Sequence, residues 1–323
     1  MRKKNFMSIL TVGTVAFDAI ETPFGKTDKI VGGAATYIAW SASYFSKLIN
    51  IVSVIGGDFD MNELELLKNS EGKNKIRGKV DTQGIDIKQD GKSFFWSGKY
   101  HMDMNSRDTL ATDLNVLAEF NPVVPADYMA SDILLLGNID PALQLKVMEQ
   151  IPVRPKLVVM DTMNFWMDIA WDTLLEAIKK VDVLTINDAE ARQLSKEHSL
   201  VKAAKKILTM GPEFLIIKKG EHGALLFHEN NVFFAPALPL EDVFDPTGAG
   251  DTFAGGFCGF LDKTRDISFE NMKRAIIYGS AMASFCVEKF GTERLKELSH
   301  KDIEERVREF IDLVQFDIEI EEA

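Results

Sequence analysis

A glycine-rich segment late in the chain, Asp245–Phe257, has the residue types needed for phosphoryl chemistry. Its thirteen residues read Asp-Pro-Thr-Gly-Ala-Gly-Asp-Thr-Phe-Ala-Gly-Gly-Phe, and an apolar helical pattern follows. Gly248, Ala249 and Gly250 have little or no side chain, so their backbone N–H groups can approach an anion at the N-terminus of that helix. Asp251 comes next and is a carboxylate that can take a proton from an attacking hydroxyl. An anion site beside a base predicts phosphoryl transfer.

A capped helix is the plainer interpretation of the same residues, with Asp251 as the N-cap and the glycines forming a turn. The chain contains no G-x-x-x-x-G-K-[ST] segment, which argues against a Walker-type phosphate loop. Phe253 stands where a dinucleotide fingerprint needs its third glycine, which argues against a Rossmann oxidoreductase. The length of the whole string favours the anion site over a bare turn.

Two more groups of residues follow apolar runs and have the types that bind a nucleotide and its metal. Asn187 and Glu190 can share a helical face and hold the hydration shell of Mg²⁺, although Asn-x-x-Glu at a helix start is also a common cap. Lys219 with Gly220 and Gly223 lets a nucleotide lie against the backbone, although turn chemistry alone indicates a β-hairpin there. The spacing leaves both pairs of interpretations open.

The elements that must position these residues alternate along the chain. Short apolar runs, several of them continuous rather than alternating, predict strands buried on both faces: Ile9–Val15, Ile51–Ile55, Ile133–Leu136, Leu157–Met160, Val183–Ile186 and Phe214–Ile217. Between them lie stretches of helical period: Ala34–Leu48, Leu143–Gln150, Trp171–Lys179, Ala189–Leu194 and Val201–Met210. This β-α-β-α pattern predicts a doubly wound α/β fold with a mainly parallel sheet, whose ligands bind at the carboxyl ends of the strands.

Length and linkers bear on domain organisation. A chain of 323 residues permits one large α/β domain or two smaller ones, but no Pro/Gly/Ser-rich linker separates two halves. Two segments, about 17–31 and 71–104, break the β-α alternation and predict a small β lid. We therefore expect a single domain over 1–323 that carries this lid. The stretch from Leu110 to Asp127 shows no clear period and has no predicted element.

Composition and charge exclude several classes of partner. The chain has 37 Lys and Arg against 49 Asp and Glu, a net charge of −12, which disfavours broad binding to nucleic acid or to an anionic membrane surface. Two cysteines, Cys258 and Cys286, cannot build a disulfide framework or a four-ligand metal site, so the cytoplasm is the expected compartment. Arg2–Lys4 before the apolar stretch Phe6–Ala16 imitates a secretory signal, but a basic tip before a first strand is the favoured interpretation.

Four separated motifs occur in the order found in the PfkB, or ribokinase-like, family of carbohydrate and nucleoside kinases. They are Gly13 with Asp18, Gly32-Gly33, Asn187-x-x-Glu190 and the Asp245–Asp251 string. The sequence resembles that family over nearly the whole chain, and the last motif is highly specific. The resemblance implies a ribokinase-like fold with a small β lid, and ATP and Mg²⁺ as cofactors.

The resemblance also implies roles for residues on the nucleotide side. It implies that the backbone of Gly248, Ala249 and Gly250 stabilises the transferring phosphoryl group and that Asp251 is the catalytic base. Further positions are implied in three groups: Asn187, Lys219, Gly220, Gly223, Thr247 and Gly279 at the nucleotide; Asn187 and Glu190 at Mg²⁺ through water; and Asp245 at a monovalent cation such as K⁺. Gly279 is expected near the start of a helix of small residues, where an ordinary close helix contact is the alternative.

On the acceptor side, the resemblance implies that Asp18 binds substrate hydroxyls and that Gly32 and Gly33 lie beneath the sugar. Two family asparagines are missing, because Ala16 and Tyr37 stand in their places, so a ribose site of the ribokinase type is incomplete. The aromatic rings of Tyr37, Phe95 and Trp96 can stack on a base, although such rings more often belong to the core. Sugar and nucleoside acceptors therefore both stay open, and a homodimer through the lid is a further hypothesis.

The sequence thus predicts an ATP-dependent kinase that phosphorylates a primary hydroxyl of a sugar or nucleoside, with Asp251 as general base. Lid closure would exclude water, which otherwise competes as acceptor. The alternative is a non-catalytic nucleotide or sugar sensor on the same fold, although such a sensor need not keep a base beside an anion site.

Overall fold

Continuous apolar runs and helical periods give fourteen strands and eleven helices in the part of the chain that the computed structural model describes, residues 8–69 and 77–315. The strands are β1 (Ile9–Val12), β2 (Ala16–Thr22), β3 (Gly25–Lys26), β4 (Ile30–Gly32), β5 (Leu48–Gly56), β6 (Lys79–Lys88), β7 (Phe95–Tyr100), β8 (Arg107–Asp113), β9 (Ile133–Leu136), β10 (Leu157–Asp161), β11 (Val183–Asn187), β12 (Phe214–Lys218), β13 (Ala224–His228) and β14 (Asn231–Ala235). The helices are α1 (Ala34–Ala42), α2 (Met61–Lys68), α3 (Pro141–Gln150), α4 (Asn164–Ile169), α5 (Trp171–Ile178), α6 (Asp188–Ser195), α7 (Leu200–Leu208), α8 (Ala249–Thr264), α9 (Phe269–Cys286), α10 (Glu293–Glu297) and α11 (His300–Val314).

A large sheet forms the centre of the described chain, with strand order β14-β13-β12-β11-β10-β9-β1-β5-β6. The seven strands from β12 to β6 are parallel, and only β13 and β14 at one edge run antiparallel. The apolar runs are continuous because alternate residues of a strand face opposite helix layers, and both layers are apolar. In β12, Phe214 and Ile216 face the layer of α1, α8 and α9, whereas Leu215 and Ile217 face the layer of α3 and α5 to α7. The predicted doubly wound α/β fold is confirmed.

A second, smaller sheet covers the carboxyl edge of the large one and has the strand order β3-β2-β7-β8, with β4 also paired to β2. The predicted lid is therefore only partly right in its residues. The segment Lys79–Lys88 pairs with β5 in the large sheet instead, where it buries Val80 against the core. The segment Arg107–Asp113, which had no predicted element, supplies the edge strand of the small sheet. Residues 71–76 of the expected lid lie outside the described residues, as does the basic tip Arg2–Lys4.

Two helix predictions were wrong at their boundaries. The first helix ends at Ala42 and not at Leu48, because Leu48 already begins β5. The helix expected to begin at Gly279 begins ten residues earlier at Phe269, where the Ser268 side chain caps its first turn. Within residues 8–69 and 77–315, no helix combines the length and apolar character that a membrane span requires.

Candidate active site

The start of α8 presents backbone donors in the place where the sequence predicts an anion site. Gly248 has a left-handed φ of 75°, and a side chain there would also overlap the Tyr37 ring at 2.4 Å, so glycine is needed for two reasons. The N–H groups of Ala249 and Thr252 donate to Pro246 O and Gly248 O. The two N–H groups between them belong to Gly250 and Asp251, in the first helical turn, where backbone donors have no intrahelical partner. These two are the candidate anion donors, whereas the N–H of Ala249, which was also expected to bind the anion, already donates to Pro246 O.

Three ionisable side chains lie at this helix start. Lys218 Nζ donates to Asp161 Oδ2 at 2.7 Å, and a side-chain carbon placed at Gly250 would lie 3.1 Å from the same Nζ. Asp251 is partly buried. Burial and, after it, the charge of Asp161 raise the pKa of Asp251 to about 7, although Lys218 opposes the shift. A carboxyl with a pKa near 7 is suited to take a proton at neutral pH.

Strand alternation explains why these residues meet. Asp161, Asn187 and Lys218 are the last residues of β10, β11 and β12, which are adjacent and parallel. Each continues the alternation that points Val159, Val183 and Ile216 of those strands toward the α8 side. The three polar residues therefore stand in a row at the carboxyl edge, beneath the start of α8. This arrangement agrees with the predicted edge for ligand binding.

Asn187 and Glu190 form a capping box at the start of α6. Asn187 Oδ1 accepts from Glu190 N at 2.8 Å, and Glu190 Oε2 accepts from Asn187 N at 2.7 Å. Burial and the charge of Asp161 raise the pKa of Glu190 to about 7. Across the described residues no group of three or more His, Cys, Asp or Glu side chains forms a metal cluster. The pair therefore has the cap role, and contact with Mg²⁺ through water stays a prediction.

Asp18 lies against two glycines on the acceptor side of the site. Its Oδ2 would be 1.9 Å from a side-chain carbon placed at Gly32, and its carboxylate accepts the N–H of Gly33, whose φ is 89°. Burial and the charges of Asp245 and Asp251 raise the pKa of Asp18 to about 7. Asp18 is 5% exposed, so this carboxyl group, on strand β2 of the lid, is almost completely shielded from solvent.

Tyr37 does not lie where a base could stack on it. The side chain is 1% exposed, its ring packs against Gly248, and its hydroxyl has no hydrogen-bond partner among the described residues. Burial and then the charges of Asp245 and Asp18 raise the pKa of that hydroxyl. The Tyr37 ring therefore does not make the expected substrate contact in this structure, because it is buried between α1 and the start of α8.

Trp96 is the aromatic residue that the lid presents to the site. It pairs with Asp18 between β2 and β7, so the two side chains share one face of the small sheet. Tyr100, four residues along β7 on the same face, accepts a hydrogen bond from the Thr247 hydroxyl at 3.2 Å. This face thus points at the start of α8. The Trp96 ring packs over Gly98 and stays partly exposed.

The predicted nucleotide loop is a hairpin whose strands are β12 and β13. Lys219 N donates to Gly223 O at 2.8 Å, and a 3₁₀ turn at Gly220–His222 closes the loop. Both glycines have positive φ, and a side chain at Gly220 would overlap Asn105 Oδ1 of the lid at 2.3 Å. The hairpin interpretation is confirmed. It also places the loop in contact with the tip of the lid.

Asp245 and Gly279 hold the helices around the site. Asp245 is fully buried and accepts from Thr247 N at 2.8 Å and from Gly291 N at 2.9 Å, so both of its oxygens bind backbone. Burial raises its pKa.

Gly279 lies inside α9, where a side chain would come within 2.8 Å of Phe253 O. Gly279 therefore has the close helix contact that was the alternative to a nucleotide role.

Lys218 and Asp161 are the residues of this site that sequence reasoning did not assign. The predicted nucleotide role fell on the neighbouring Lys219, whose ammonium lies 5.8 Å from the Phe234 ring centroid. The alternation of β12 was the available indication, because it sends Lys218 to the same side as Phe214 and Ile216. A carboxylate directly after a buried strand was the corresponding indication for Asp161.

Comparison with known proteins relates this site to a family. The sequence profile of the pfkB family carbohydrate kinases matches residues 9–297. A cytidine kinase of Thermococcus kodakarensis is 27% identical over 267 residues, which cover 81% of this chain and 91% of that protein. A nucleoside kinase of Methanothermobacter thermautotrophicus is 27% identical over 300 residues, covering 88% and 91% of the two chains.

The fold has solved relatives as well. The crystal structure of the Methanocaldococcus jannaschii nucleoside kinase, an archaeal member of the ribokinase family, superposes with a TM-score of 0.73 at 21% identity. The match covers 93% of this chain and 98% of that one. At this identity the likeness shows a shared ribokinase-like fold.

Proposed function

The chain belongs to the pfkB family of carbohydrate kinases, and we propose that it transfers the γ-phosphoryl group of ATP to the primary hydroxyl of a nucleoside. The observation that carries the proposal is the start of α8, where a carboxyl with a pKa of about 7 stands beside two backbone donors of the first turn. Asp18 on the lid side adds a buried carboxyl that faces the same space.

The reaction assigns one role to each part of this site. Asp251 takes the proton of the acceptor hydroxyl as its oxygen attacks the γ-phosphorus. The new O–P bond forms while the bond from the γ-phosphorus to the bridging oxygen breaks, and ADP leaves with that electron pair. The N–H groups of Gly250 and Asp251 stabilise the negative charge on the transferring phosphoryl oxygens. Ala249 and Gly248 shape the turn that aims these donors.

Family membership implies ATP and Mg²⁺, and the residues present fit both. The hairpin loop with Lys219, Gly220 and Gly223 would hold the nucleotide along its backbone, and Thr247, just before α8, would border the phosphates. Glu190, whose Oε2 accepts the Asn187 N–H in the capping box, would hold Mg²⁺ through water. The metal, when bound with the nucleotide, neutralises phosphate charge. Asp245 offers no oxygen free of backbone donors to K⁺, so no role for that ion is proposed.

A nucleoside is favoured over a free sugar as the acceptor. Asp18 supplies a charged acceptor for neighbouring hydroxyls of a ribose, and the partly exposed Trp96 ring on the same lid face supplies a stacking surface for a base. Two relatives that cover most of the chain are a cytidine kinase and a nucleoside kinase. Their names support the same class of acceptor.

An acceptor screen tests this proposal. ADP release is measured by a coupled assay with ATP, Mg²⁺ and separate panels of nucleosides and free sugars, among them cytidine and ribose. The expected result is turnover with at least one nucleoside and a higher kcat/KM than with ribose. Turnover on free sugars alone would refute the nucleoside assignment, and nucleotide binding without any turnover would favour the sensor alternative.

A lid variant tests the stacking contact separately. Trp96→Ala should raise the KM of the nucleoside by about 5–10-fold, equivalent to about 1–1.5 kcal/mol for an aromatic contact, and should leave the KM of ATP unchanged. Tyr37→Phe keeps a buried ring of nearly the same size and is the comparison variant. If Trp96→Ala leaves the nucleoside KM unchanged, the base lies elsewhere.

A further inference from the structure

Lys218 is held by the fold at the point where the transferring phosphoryl group would lie. Its side chain is 18% exposed, and its ammonium is 2.7 Å from Asp161 Oδ2. The same ammonium is so close to Gly250 that a side-chain carbon there would lie 3.1 Å away. An anion that accepts the N–H of Gly250 would therefore lie near the ammonium as well.

We propose that Lys218 is a catalytic cation that binds the γ-phosphate of ATP together with the Gly250 backbone, and that Asp161 positions it there. The inference rests on the proposed function and adds a side-chain charge to what the backbone donors supply. In the transfer, negative charge spreads over the phosphoryl oxygens, and a fixed ammonium beside them stabilises that charge.

The surroundings of Lys218 explain why its charge persists. Burial lowers the pKa of the ammonium, but the charges of Asp161, Glu190 and Asp251, with the hydrogen bond that Lys218 donates to Asp161, raise it overall. Three carboxyl groups thus share one lysine when no phosphate is bound. A bound γ-phosphate would bring negative charge to the same ammonium, and the hydrogen bond to Asp161 keeps the side chain in place.

Arg107 does not have the same placement. It begins the edge strand of the lid and is exposed, with its guanidinium 5.8 Å from the Trp96 ring centroid. Its charge acts on Asp251 and Glu190, but its side chain has no buried anion that fixes it among the described residues. Donors that are already fixed in place stabilise a transition state most, because they need no rearrangement during the reaction. This favours Lys218 over Arg107 as the cation at the γ-phosphate.

Nucleotide binding without acceptor tests the assignment independently of turnover. Calorimetry compares the Kd of ADP with that of AMP-PNP, which carries a γ-phosphoryl group, for wild type and Lys218→Met in saturating Mg²⁺. The expected result is that Lys218→Met raises the Kd of AMP-PNP by ~10-fold or more relative to the Kd of ADP, as for a lost hydrogen bond to a charged group. Asp161→Asn, which keeps the lysine, should reduce this preference less.

A second lysine provides the matched control. Lys156 directly precedes β10, at the end of that strand away from Asp161, and its Nζ lies 2.9 Å from Asp132 Oδ1, so Lys156→Met removes a Lys–Asp pair outside the site and should keep the wild-type preference. Lys218→Gln is the second variant in case Lys218→Met does not fold, and the same loss is expected for it.

The outcomes separate the two proposals. A wild-type protein that favours AMP-PNP, together with a folded Lys218 variant that keeps this preference, overturns the assignment of Lys218 alone. A wild-type protein that binds neither nucleotide overturns the proposed function, and this inference with it. Loss of the preference in the Lys218 variants, with Lys156→Met unchanged, supports the assignment.

Discussion

Replacing Asp251 by asparagine should remove activity while stabilising the fold. The amide of the new side chain cannot take the proton of the acceptor hydroxyl, so kcat is expected to fall by about 10²–10⁴-fold. The Kd of ATP should stay near the wild-type value, because the backbone donors of the first turn remain. A folding defect would lower activity too, but it would also lower the midpoint of thermal unfolding, and here the opposite change is expected.

The gain in stability follows from the pKa of the carboxyl. Burial first, and then the charge of Asp161, raise it from 3.8 to about 7 in the folded chain. The folded state therefore binds this proton more tightly than the unfolded state does. The Asp251 carboxyl therefore costs no folding stability below pH 3.8. Its cost grows as the pH rises from 3.8 toward 7, and the cost remains above pH 7. This rise in the pKa corresponds to a cost of about 4 kcal/mol at pH 8, as an upper bound.

Asp262 provides the control for this prediction. It lies on the same helix α8, about 16 Å along its axis from Asp251, and is 4% exposed. Burial raises its pKa from 3.8 to about 6, so Asp262→Asn should also stabilise the fold at pH 8, by at most about 3 kcal/mol.

Thermal unfolding at pH 4 and pH 8, with steady-state kinetics at pH 8, checks both variants. Each should raise the unfolding midpoint at pH 8 and change it little at pH 4, but only Asp251→Asn should lose kcat. The general-base role is refuted if Asp251→Asn keeps more than about a tenth of kcat. The predicted cost of the buried charge is refuted if that variant unfolds at a lower temperature than wild type at pH 8.

Three further variants test other parts of the site. Gly32→Ala would place a carbon 1.9 Å from Asp18 Oδ2, and by displacing that carboxylate it should raise acceptor KM by about 10–100-fold with ATP KM unchanged; an unaltered acceptor KM would make Asp18 a structural residue. Asn187→Leu combined with Glu190→Gln should raise the Mg²⁺ concentration for half activity and, through the lost cap, lower stability by about 0.5–2 kcal/mol; superimposable Mg²⁺ titrations would leave the pair with the cap alone. Tyr37→Phe removes a buried hydroxyl without a partner among the described residues and should leave the unfolding midpoint unchanged or raise it, whereas a lower midpoint would contradict that burial.

The parts of the fold that depend on local pattern could be predicted from the sequence. Continuous apolar runs indicated the parallel strands, because residues on both faces of such a strand are buried. The glycines and Asp251 indicated the start of α8, because a close backbone approach needs small residues and a base needs a carboxylate. Capping at Asn187 and Glu190 was an open alternative from their spacing, and the structure has that cap.

The parts that depend on non-local pairing could not be predicted in the same way. Nothing near Lys79–Lys88 indicates that it pairs with β5 rather than with the lid, because strand partners are distant in sequence. Tyr37 has a helical neighbourhood in the sequence, and only the packing of α1 against α8 turns its ring under Gly248. Lys218 could have been found from the alternation of β12, but its contact with Asp161 spans 57 residues.

Phosphoryl transfer to a primary hydroxyl is tested most directly by comparing the nucleoside that gives the highest kcat/KM in the acceptor screen with its 5′-deoxy analogue, which lacks only that hydroxyl. ATP and Mg²⁺ are supplied with each compound, and ADP and the phosphorylated product are quantified together. We predict one nucleoside 5′-monophosphate for each ADP formed, and no product from the 5′-deoxy analogue. Equal ADP release with both compounds, or a phosphate on another hydroxyl of the nucleoside, would contradict this prediction.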